Sequence, residues 1–197
     1  MTEIIIQECE RIKNLIDLFQ VKQLNQNITD EENNIYQTIR YVIKKFKLKN
    51  LSEIKILEEF DPSLPPCSID KNNLIIVLDN LLENSISAID KSNGYIKIIT
   101  SFVFKGWKKI PGTRSNSSNN FISIIVEDNG RGIEAKNLKS VFYPFFSTKI
   151  QGKGVGLFLV KKIITHFGGT INVISDKSIT KFEILLPIKK NEKYNHN

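Results

Sequence analysis

The chain has 197 residues, of which 41% are hydrophobic and 25% charged, and its formal net charge is +7. These values are typical of one globular domain with a short appendage. No apolar run approaches the length of a membrane span and the first residues lack a signal-peptide pattern, so we expect a cytoplasmic chain without membrane insertion. The lysines are scattered and do not interleave with aromatic residues, which argues against nucleic-acid binding. Cys9 and Cys67 are predicted to be isolated thiols.

Two amphipathic segments precede the first predicted strand. Residues 3–24 carry an apolar stripe that a helix would need to bury against a partner. After a polar connection at 25–30, a second helix is predicted over residues 31–47. Its expected core side consists of Ile35, Ile39, Val42, Ile43 and Phe46. A strand at 53–60 and a proline-rich turn at 61–66 follow.

The segment 74–89 is predicted to be a helix with one apolar face and one polar stripe. Its expected core residues are Leu74, Leu78, Leu81, Leu82, Ser85 and Ile89. The polar stripe consists of Asn80, Asn84 and Ser87. An amide oxygen beside a bound anion is a reasonable Mg²⁺ ligand, although such amides taken alone are more simply solvated surface residues.

The centre of the chain is predicted to form two strands around an irregular tip. Asn93-Gly94 is a good turn before a strand at 95–104. The loop or distorted hairpin tip at 105–120 holds Trp107, which could contact a partner but which we expect to fold back on its own sheet. The apolar run 121–126 is typical of a strand buried on both faces, which puts Asp128 at a strand end. Gly130 and Gly132 would allow positive φ and close ligand approach. A carboxylate there can accept a hydrogen bond from an exocyclic amine such as that of adenine.

The last third of the chain is predicted to hold a short helix, a lid, a glycine loop with its helix, and a hairpin. The short helix spans 134–141, and residues 143–153 form the lid. Glycines at 152, 154 and 156 lead into a predicted helix at 157–164. The free N–H groups at the start of this helix would bind an anion. An ordinary turn followed by a helix cap would explain the same glycines equally simply. His166 is expected at the helix end before a glycine stop. Strands at 171–175 and 181–187 form the hairpin before a frayed polar tail at 189–197.

Four motifs in order resemble the N, G1, F and G2 boxes of the histidine-kinase ATP-binding domain. They are N-L-L-E-N-S at 80–85, D-N-G-R-G at 128–132, F-Y-P-F-F at 142–146 and G-K-G-V-G-L at 152–157. This is the GHKL (Bergerat) fold shared with gyrase-, Hsp90- and MutL-type ATPases. D-P-S-L-P at 61–65 and the closing L-P at 186–187 resemble the nitrogen-regulation branch of the sensor kinases.

The resemblance implies an α/β fold, an α+β two-layer sandwich. A mixed, mostly antiparallel sheet of about five strands would be covered on one face by helices. Residues 1–26 would be a helix left over from the dimerisation and phosphoacceptor hairpin, through which weak homodimerisation is possible. Residues 27–188 would form the catalytic ATP-binding domain, and 189–197 the tail. The helix that carries the phosphorylated histidine in the family has no counterpart here, and neither His166 nor His196 resembles that histidine.

The resemblance also assigns the site. Asp128 would recognise adenine, Asn84 would be the Mg²⁺ ligand, and Asn80 and Lys149 would be the catalytic residues. Phe142 and Phe146 would be lid aromatics, and Lys149, with Lys153 less firmly, would contact phosphate. The expected ATP-binding residues are Asn80, Asn84, Ser87, Asp128, Gly130, Gly132, Ile133, Phe142, Phe146, Thr148, Lys149, Lys153, Gly154, Val155, Gly156 and Leu157.

One position separates the chemistries of this fold. The ATPase branches have a glutamate where this chain has Asn80, and an amide cannot act as a general base. We therefore expect a two-component histidine kinase catalytic domain, which passes the γ-phosphoryl group of ATP to a histidine outside this chain. Its expected partners are ATP or ADP, a phosphoacceptor helix and a response regulator receiver domain. The alternatives are a non-catalytic nucleotide-binding module that pairs with a full-length kinase or response regulator, and a gyrase- or MutL-like ATPase, which Asn80 disfavours.

Overall fold

A single five-stranded sheet organises the computed structural model, which describes residues 34–48, 54–90, 93–104, 120–149, 152 and 154–188. The strands are β1 (Ile54–Phe60), β2 (Gly94–Val103), β3 (Phe121–Asp128), β4 (Thr170–Ser175) and β5 (Thr180–Pro187), and the helices are α1 (Ile35–Lys47), α2 (Lys71–Ala88) and α3 (Gly156–His166). The strand order is β1-β2-β3-β5-β4. β1 pairs parallel with β2, and every other pair is antiparallel. The predicted mixed, mostly antiparallel sheet is confirmed.

The three helices pack against one face of this sheet to form the second layer of the sandwich. Alternate residues of β2, β3 and β5 share a buried cluster with the apolar faces of all three helices. These three strands contribute Ile96, Ile98, Ile122, Ile124, Val126, Phe182, Ile184 and Leu186, and β4 adds Ile171. This period of two in the strands against a helical stripe is the pattern expected of a helix layer on a sheet.

Helix α1 buries the five apolar residues predicted for its core side. It begins at Ile35 rather than at residue 31, because Asn34 is its N-cap. The Asn34 side-chain oxygen accepts a hydrogen bond from the Gln37 backbone N–H at 3.2 Å, which satisfies one of the free donors of the first turn.

Helix α2 begins at Lys71, three residues before the predicted start at 74, since Asp70 caps it. The Asp70 carboxylate accepts from the Asn73 backbone N–H at 3.0 Å. The predicted core face is confirmed apart from Ile89, which follows the helix as its C-cap and is half-buried. Val77 is a further core residue of this helix, fully buried.

Strand β3 is central and buried on both faces, as predicted, and runs two residues further than predicted to end at Asp128. Its neighbours β2 and β5 both run antiparallel to it. On the face away from the helices, Glu127 accepts one hydrogen bond from the Tyr95 hydroxyl at 3.0 Å and pairs with the Lys181 ammonium at 2.8 Å. The buried carboxylate of Glu127 is therefore paired with a positive charge, because an unpaired buried charge would be strongly destabilising.

The short helix predicted at 134–141 is confirmed only in part. The structure has one short 3-10 turn, Ala135–Asn137, and then successive turns through Val141. The Glu134 side chain makes no capping hydrogen bond to this turn. So short a segment cannot sustain an α-helix without a cap or a packed face.

Helix α3 ends as predicted at His166. Gly168, at φ 72°, follows the end of the helix. The N–H of Gly168 donates to the Thr165 carbonyl at 3.0 Å, and that of Gly169 donates to the Ile164 carbonyl at 2.9 Å. This pair of bonds is a Schellman motif, and it turns the chain into β4.

Some predictions lie outside the described residues. They are the helix at 3–24, the connection at 25–30, the tip that holds Trp107, the tail at 189–197, and the positions of Cys9, Lys153 and His196. Among the helices that the structure does describe, none combines the length and the apolar character that crossing a membrane would need.

Candidate functional site

The predicted site residues meet at one edge of the sandwich, where the end of β3 faces the C-terminal half of α2. Asp128 is the innermost of them and is only 2% exposed. Its Oδ2 accepts from the Ser85 hydroxyl at 2.9 Å, and its Oδ1 accepts from the Gly130 backbone N–H at 3.0 Å. The carboxylate is therefore held in one orientation from both sides, as a selective recognition group needs to be.

Ser85 is a site residue that the sequence analysis placed only in the core. It is indeed buried, at 1% exposed, but its hydroxyl is directed at the carboxylate. A hydroxyl on an otherwise apolar helix face was the available signal, because buried polar groups almost always have a partner.

The two glycines after β3 hold the following turn between α2 and the β4–β5 turn. Gly132 has the predicted positive φ, 73°, and a Cβ there would overlap the carbonyl oxygen of Asp176. Gly130 does not have the predicted positive φ; it is needed because a Cβ would stand 2.6 Å from the Ala88 carbonyl oxygen. Both glycines allow two segments of the backbone to pack closely against each other. The Arg131 N–H also donates a hydrogen bond to the Ala88 carbonyl at 2.9 Å.

Ile133 continues this turn and is fixed to the hairpin. Its N–H donates to the Ser175 hydroxyl at 2.9 Å, and that oxygen also lies 2.9 Å from the Thr180 hydroxyl. Thr180 is the β5 partner of Asp128 across the sheet. Sequence reasoning missed this hydroxyl pair because Ser175 and Thr180 come together only through the register of β4 and β5.

The polar stripe of α2 is confirmed as a row of side chains that face the loops. Asn80 donates from Nδ2 to the Ile76 carbonyl at 2.8 Å, and a Cβ on Gly156 would stand 2.5 Å from its Oδ1. The Asn84 Oδ1 accepts from the Lys149 ammonium at 2.9 Å, and the same ammonium donates to the Ser87 hydroxyl. Asn84 and Ser87 share a face because they are three residues apart on a helix.

Lys149 reaches this stripe from the lid, and its electrostatic surroundings are unusual. Burial, reinforced by the charge of Arg131, lowers the pKa of Lys149, while Glu83 acts in the opposite direction. Arg131, which sequence reasoning did not include in the site, belongs to the turn after β3 and is exposed. Two cationic side chains from two different loops thus act on one region, an arrangement that attracts a polyanion such as a phosphate chain.

The aromatic segment 142–146, where the lid begins, is anchored at its first residue. The Phe142 ring lies 6.3 Å from that of Phe182 in an edge-on arrangement, and the Lys161 ammonium lies 5.6 Å from its centroid. Phe146 is half-buried, and its N–H donates to the Tyr143 carbonyl at 3.3 Å to close a turn. Phe145 has φ 63° at the third position of that turn, a position that usually holds glycine.

The glycine loop, which contains Gly152 and Gly154, lies between this turn and α3. Gly154 has φ 66°, and a Cβ there would overlap the backbone of Phe145, so the loop packs directly on the lid. Val155 is the N-cap of α3 without a side-chain cap bond, and Gly156 is the first helical residue. The first N–H groups of α3 are therefore not used by a capping side chain, which suits an anion. Thr148 and Leu157 flank the loop, one exposed and the other half-buried.

The donor set limits how a metal ion could bind. No group of three or more His, Cys, Asp or Glu residues that could hold a metal occurs within the described ranges. Asn84 offers one amide oxygen, so a divalent cation would need phosphate oxygens and water to complete its shell. Mg²⁺ is the ion that accepts this combination, and the residues present therefore fit it as a companion of a nucleotide.

Comparison with known proteins agrees with the fold and the motifs. Residues 69–190 match the family model described as histidine kinase-, DNA gyrase B-, and HSP90-like ATPase. The chain is 35% identical to the sensory histidine kinase/phosphatase NtrB of Rhizobium meliloti (strain 1021) over 191 residues, 96% of this chain and 50% of that protein. It is 30% identical to the protein of the same name from Klebsiella oxytoca, over 96% of this chain and 52% of that one. The chain thus spans about half the length of these relatives.

Solved structures give the same picture. The catalytic domain of the histidine kinase ThkA is similar at 27% identity with a TM-score of 0.63, covering 79% of this chain and 93% of that one. The Acinetobacter baumannii histidine kinase AdeS shares the fold, with a TM-score of 0.65 at 21% identity over 91% of this chain and 77% of that one. Since the matched family model covers more than half of the chain, this protein belongs to the family of histidine kinase-, DNA gyrase B-, and HSP90-like ATPases.

Proposed function

We propose that this chain is the ATP-binding catalytic domain of a two-component sensor histidine kinase of the nitrogen-regulation type. It transfers the γ-phosphoryl group of ATP to a histidine on a separate phosphoacceptor helix, from which a response regulator receives it. The observation that carries the proposal is the convergence of the buried Asp128, the Asn84–Lys149 pair and the uncapped start of α3 around one edge of the sandwich. The similarity to NtrB supports the nitrogen-regulation assignment.

Each part of the site has a role in holding ATP. Asp128 accepts a hydrogen bond from the adenine amine, and Ser85 and Gly130 keep its oxygens in place for that bond. The N–H groups at the start of α3 bind phosphate oxygens. Bound Mg²⁺, which Asn84 would help to hold, supplies neutralisation of phosphate charge.

The residues near the reacting phosphate favour transfer to a histidine over hydrolysis. Asn80, which donates to the Ile76 carbonyl and lies against Gly156 at the start of α3, stands where a water-activating glutamate would be. An amide has no basic site for a water proton at neutral pH. Lys149 and Arg131 bring positive charge to the phosphate chain, and catalysis then consists of positioning and charge stabilisation.

The test is phosphoryl transfer to a supplied histidine. The chain is incubated with Mg²⁺, ATP labelled in the γ position and a separate phosphoacceptor-helix fragment, and label on the fragment is followed in time. We expect label on the fragment with the wild type and with Asn72→Ala, an exposed asparagine at the start of the same helix, and little label with Asn84→Ala.

Two outcomes would change the proposal. Binding of ATP without any transfer would favour the non-catalytic nucleotide-binding module. Steady release of inorganic phosphate by the isolated chain would instead favour the ATPase branch of the family, in spite of Asn80.

A further inference from the structure

The lid residue Lys149 is bonded to the oxygen that the proposed function assigns to the metal ion. Its ammonium donates to the Asn84 Oδ1 at 2.9 Å and to the Ser87 hydroxyl. The two acceptors lie on one face of α2, and Lys149 comes from a loop 65 residues further along the chain than Asn84. The bonds therefore join the lid to the helix rather than two parts of one element.

Both of these acceptors are uncharged, although the ammonium is half-buried. Among the described residues, the lysine thus depends on an amide and a hydroxyl for its direct contacts. Hydrogen bonds from a charged group to neutral acceptors are of moderate strength and are lost readily when a full negative charge is offered instead.

A metal ion cannot share the Asn84 oxygen with this ammonium. Mg²⁺ binds its oxygen ligands at about 2.1 Å, and a second cation within 3 Å of the same oxygen would be strongly repelled. A metal–nucleotide complex brings both a competitor for Asn84 and phosphate oxygens that attract the lysine. The two cations can therefore exchange places without leaving either one unpaired.

We propose that Lys149 is an exchangeable competitor of the metal ion. Its ammonium holds the lid on Asn84 and Ser87 until a Mg²⁺–nucleotide complex takes the Asn84 oxygen and the lysine moves to phosphate. This inference rests on the proposed function for the identity of the ligand. It adds that the lid has two closed arrangements, one fastened by Lys149 to α2 and one fastened through the nucleotide.

The fastening can be tested on the full chain without nucleotide by hydrogen–deuterium exchange of residues 142–149. Lys149→Met removes the charge at similar length, and we expect exchange in this segment to rise about fivefold. Asn84→Asp replaces a neutral acceptor by a carboxylate and should slow exchange there. Lys71→Met changes an exposed lysine at the first residue of α2 and should leave the segment unaffected. Equal exchange in all four proteins would overturn the fastening.

The exchange of cations is tested by NMR of the Asn84 side-chain amide, identified by its loss in Asn84→Asp. Without nucleotide, this resonance should differ between the wild type and Lys149→Met. With Mg²⁺ and AMPPNP, a non-hydrolysable ATP analogue, the two should converge, because the lysine has left Asn84. A difference that persists at saturation would overturn the exchange.

The outcomes also separate this inference from the proposed function. A chain that binds Mg²⁺–AMPPNP, but in which Lys149→Met alters neither exchange nor the amide resonance, overturns the inference alone. A chain that shows the fastening but binds no nucleotide overturns the proposed function, and with it the displacement of Lys149.

Discussion

Gly132 offers a sharp test of how the turn after β3 is built. Its φ of 73° is one that alanine adopts only at a cost of roughly 1–2 kcal/mol. A Cβ would also overlap the Asp176 carbonyl oxygen, which is backbone and cannot rotate away. Moving the β4–β5 turn to make room is a form of overpacking, which typically costs about 1–3 kcal/mol. Together these effects predict that Gly132→Ala lowers the free energy of unfolding by about 3 kcal/mol.

Gly168→Ala is the matched control. Gly168 has nearly the same φ, 72°, but the nearest atom to an added Cβ is the Pro187 Cγ at 3.6 Å, an ordinary contact. Gly168→Ala should therefore lower the free energy of unfolding only by the cost of the backbone conformation, about 1 kcal/mol. At about 2–4 °C for each kcal/mol in a chain of this size, the expected losses in Tm are about 6–12 °C for Gly132→Ala and 2–4 °C for Gly168→Ala. The assay is thermal unfolding followed by circular dichroism, with urea unfolding as a check. Equal losses in the two variants would refute the close approach to Asp176.

Three further predictions follow from buried groups. Ser85→Ala removes a donor to the buried Asp128 carboxylate, so the Kd for Mg²⁺–ATP measured by calorimetry should rise about tenfold; an unchanged Kd would show that the hydroxyl does not position Asp128. Burial tends to raise the pKa of Glu127, but hydrogen bonds led by that from Lys181 outweigh it and hold this pKa below the usual 4.5. The stabilisation that the ionised Glu127 gives the folded chain is therefore complete above about pH 4.5 and is lost as the pH falls through the lowered pKa. Glu127→Gln should therefore weaken the dependence of the urea unfolding midpoint on acid pH. An identical dependence in both proteins would contradict the pairing of Glu127 with Lys181. Burial raises the pKa of the Cys67 thiol to about 11. Iodoacetamide at pH 8 should therefore label Cys67 in urea but not in the folded chain, which peptide mapping can show. Rapid labelling of the folded chain would contradict the burial of Cys67.

Local patterns in the sequence were enough to predict the layer structure. The apolar stripe of α1 and most of that of α2 repeat with the helical period, and the run that became β3 is continuously apolar. Such patterns follow from burial, which every core residue must obey. The predicted boundaries shifted where a capping side chain decides them, as at Asn34 and Asp70.

The site was predicted less completely because its contacts join distant segments. Asn84, Asp128 and the glycines could be assigned from the resemblance, since each stands in a local motif. The bond from Ser85 to Asp128 and the hydroxyl pair of Ser175 and Thr180 depend on packing and register. The reason for Gly130 was also predicted wrongly, because its need arises from the end of α2 rather than from its own φ.

ATP binding through Asp128 is the property on which the proposed site most directly depends. Isothermal titration of ATP with Mg²⁺ into the wild type should give saturable binding with one site per chain. Asp128→Ala should reduce the affinity by at least about a hundredfold, because the variant loses the buried carboxylate that accepts from the adenine amine. Circular dichroism of the variant checks that it is folded. Binding of equal strength in a folded Asp128→Ala variant, or no binding by the wild type, would contradict the proposed site.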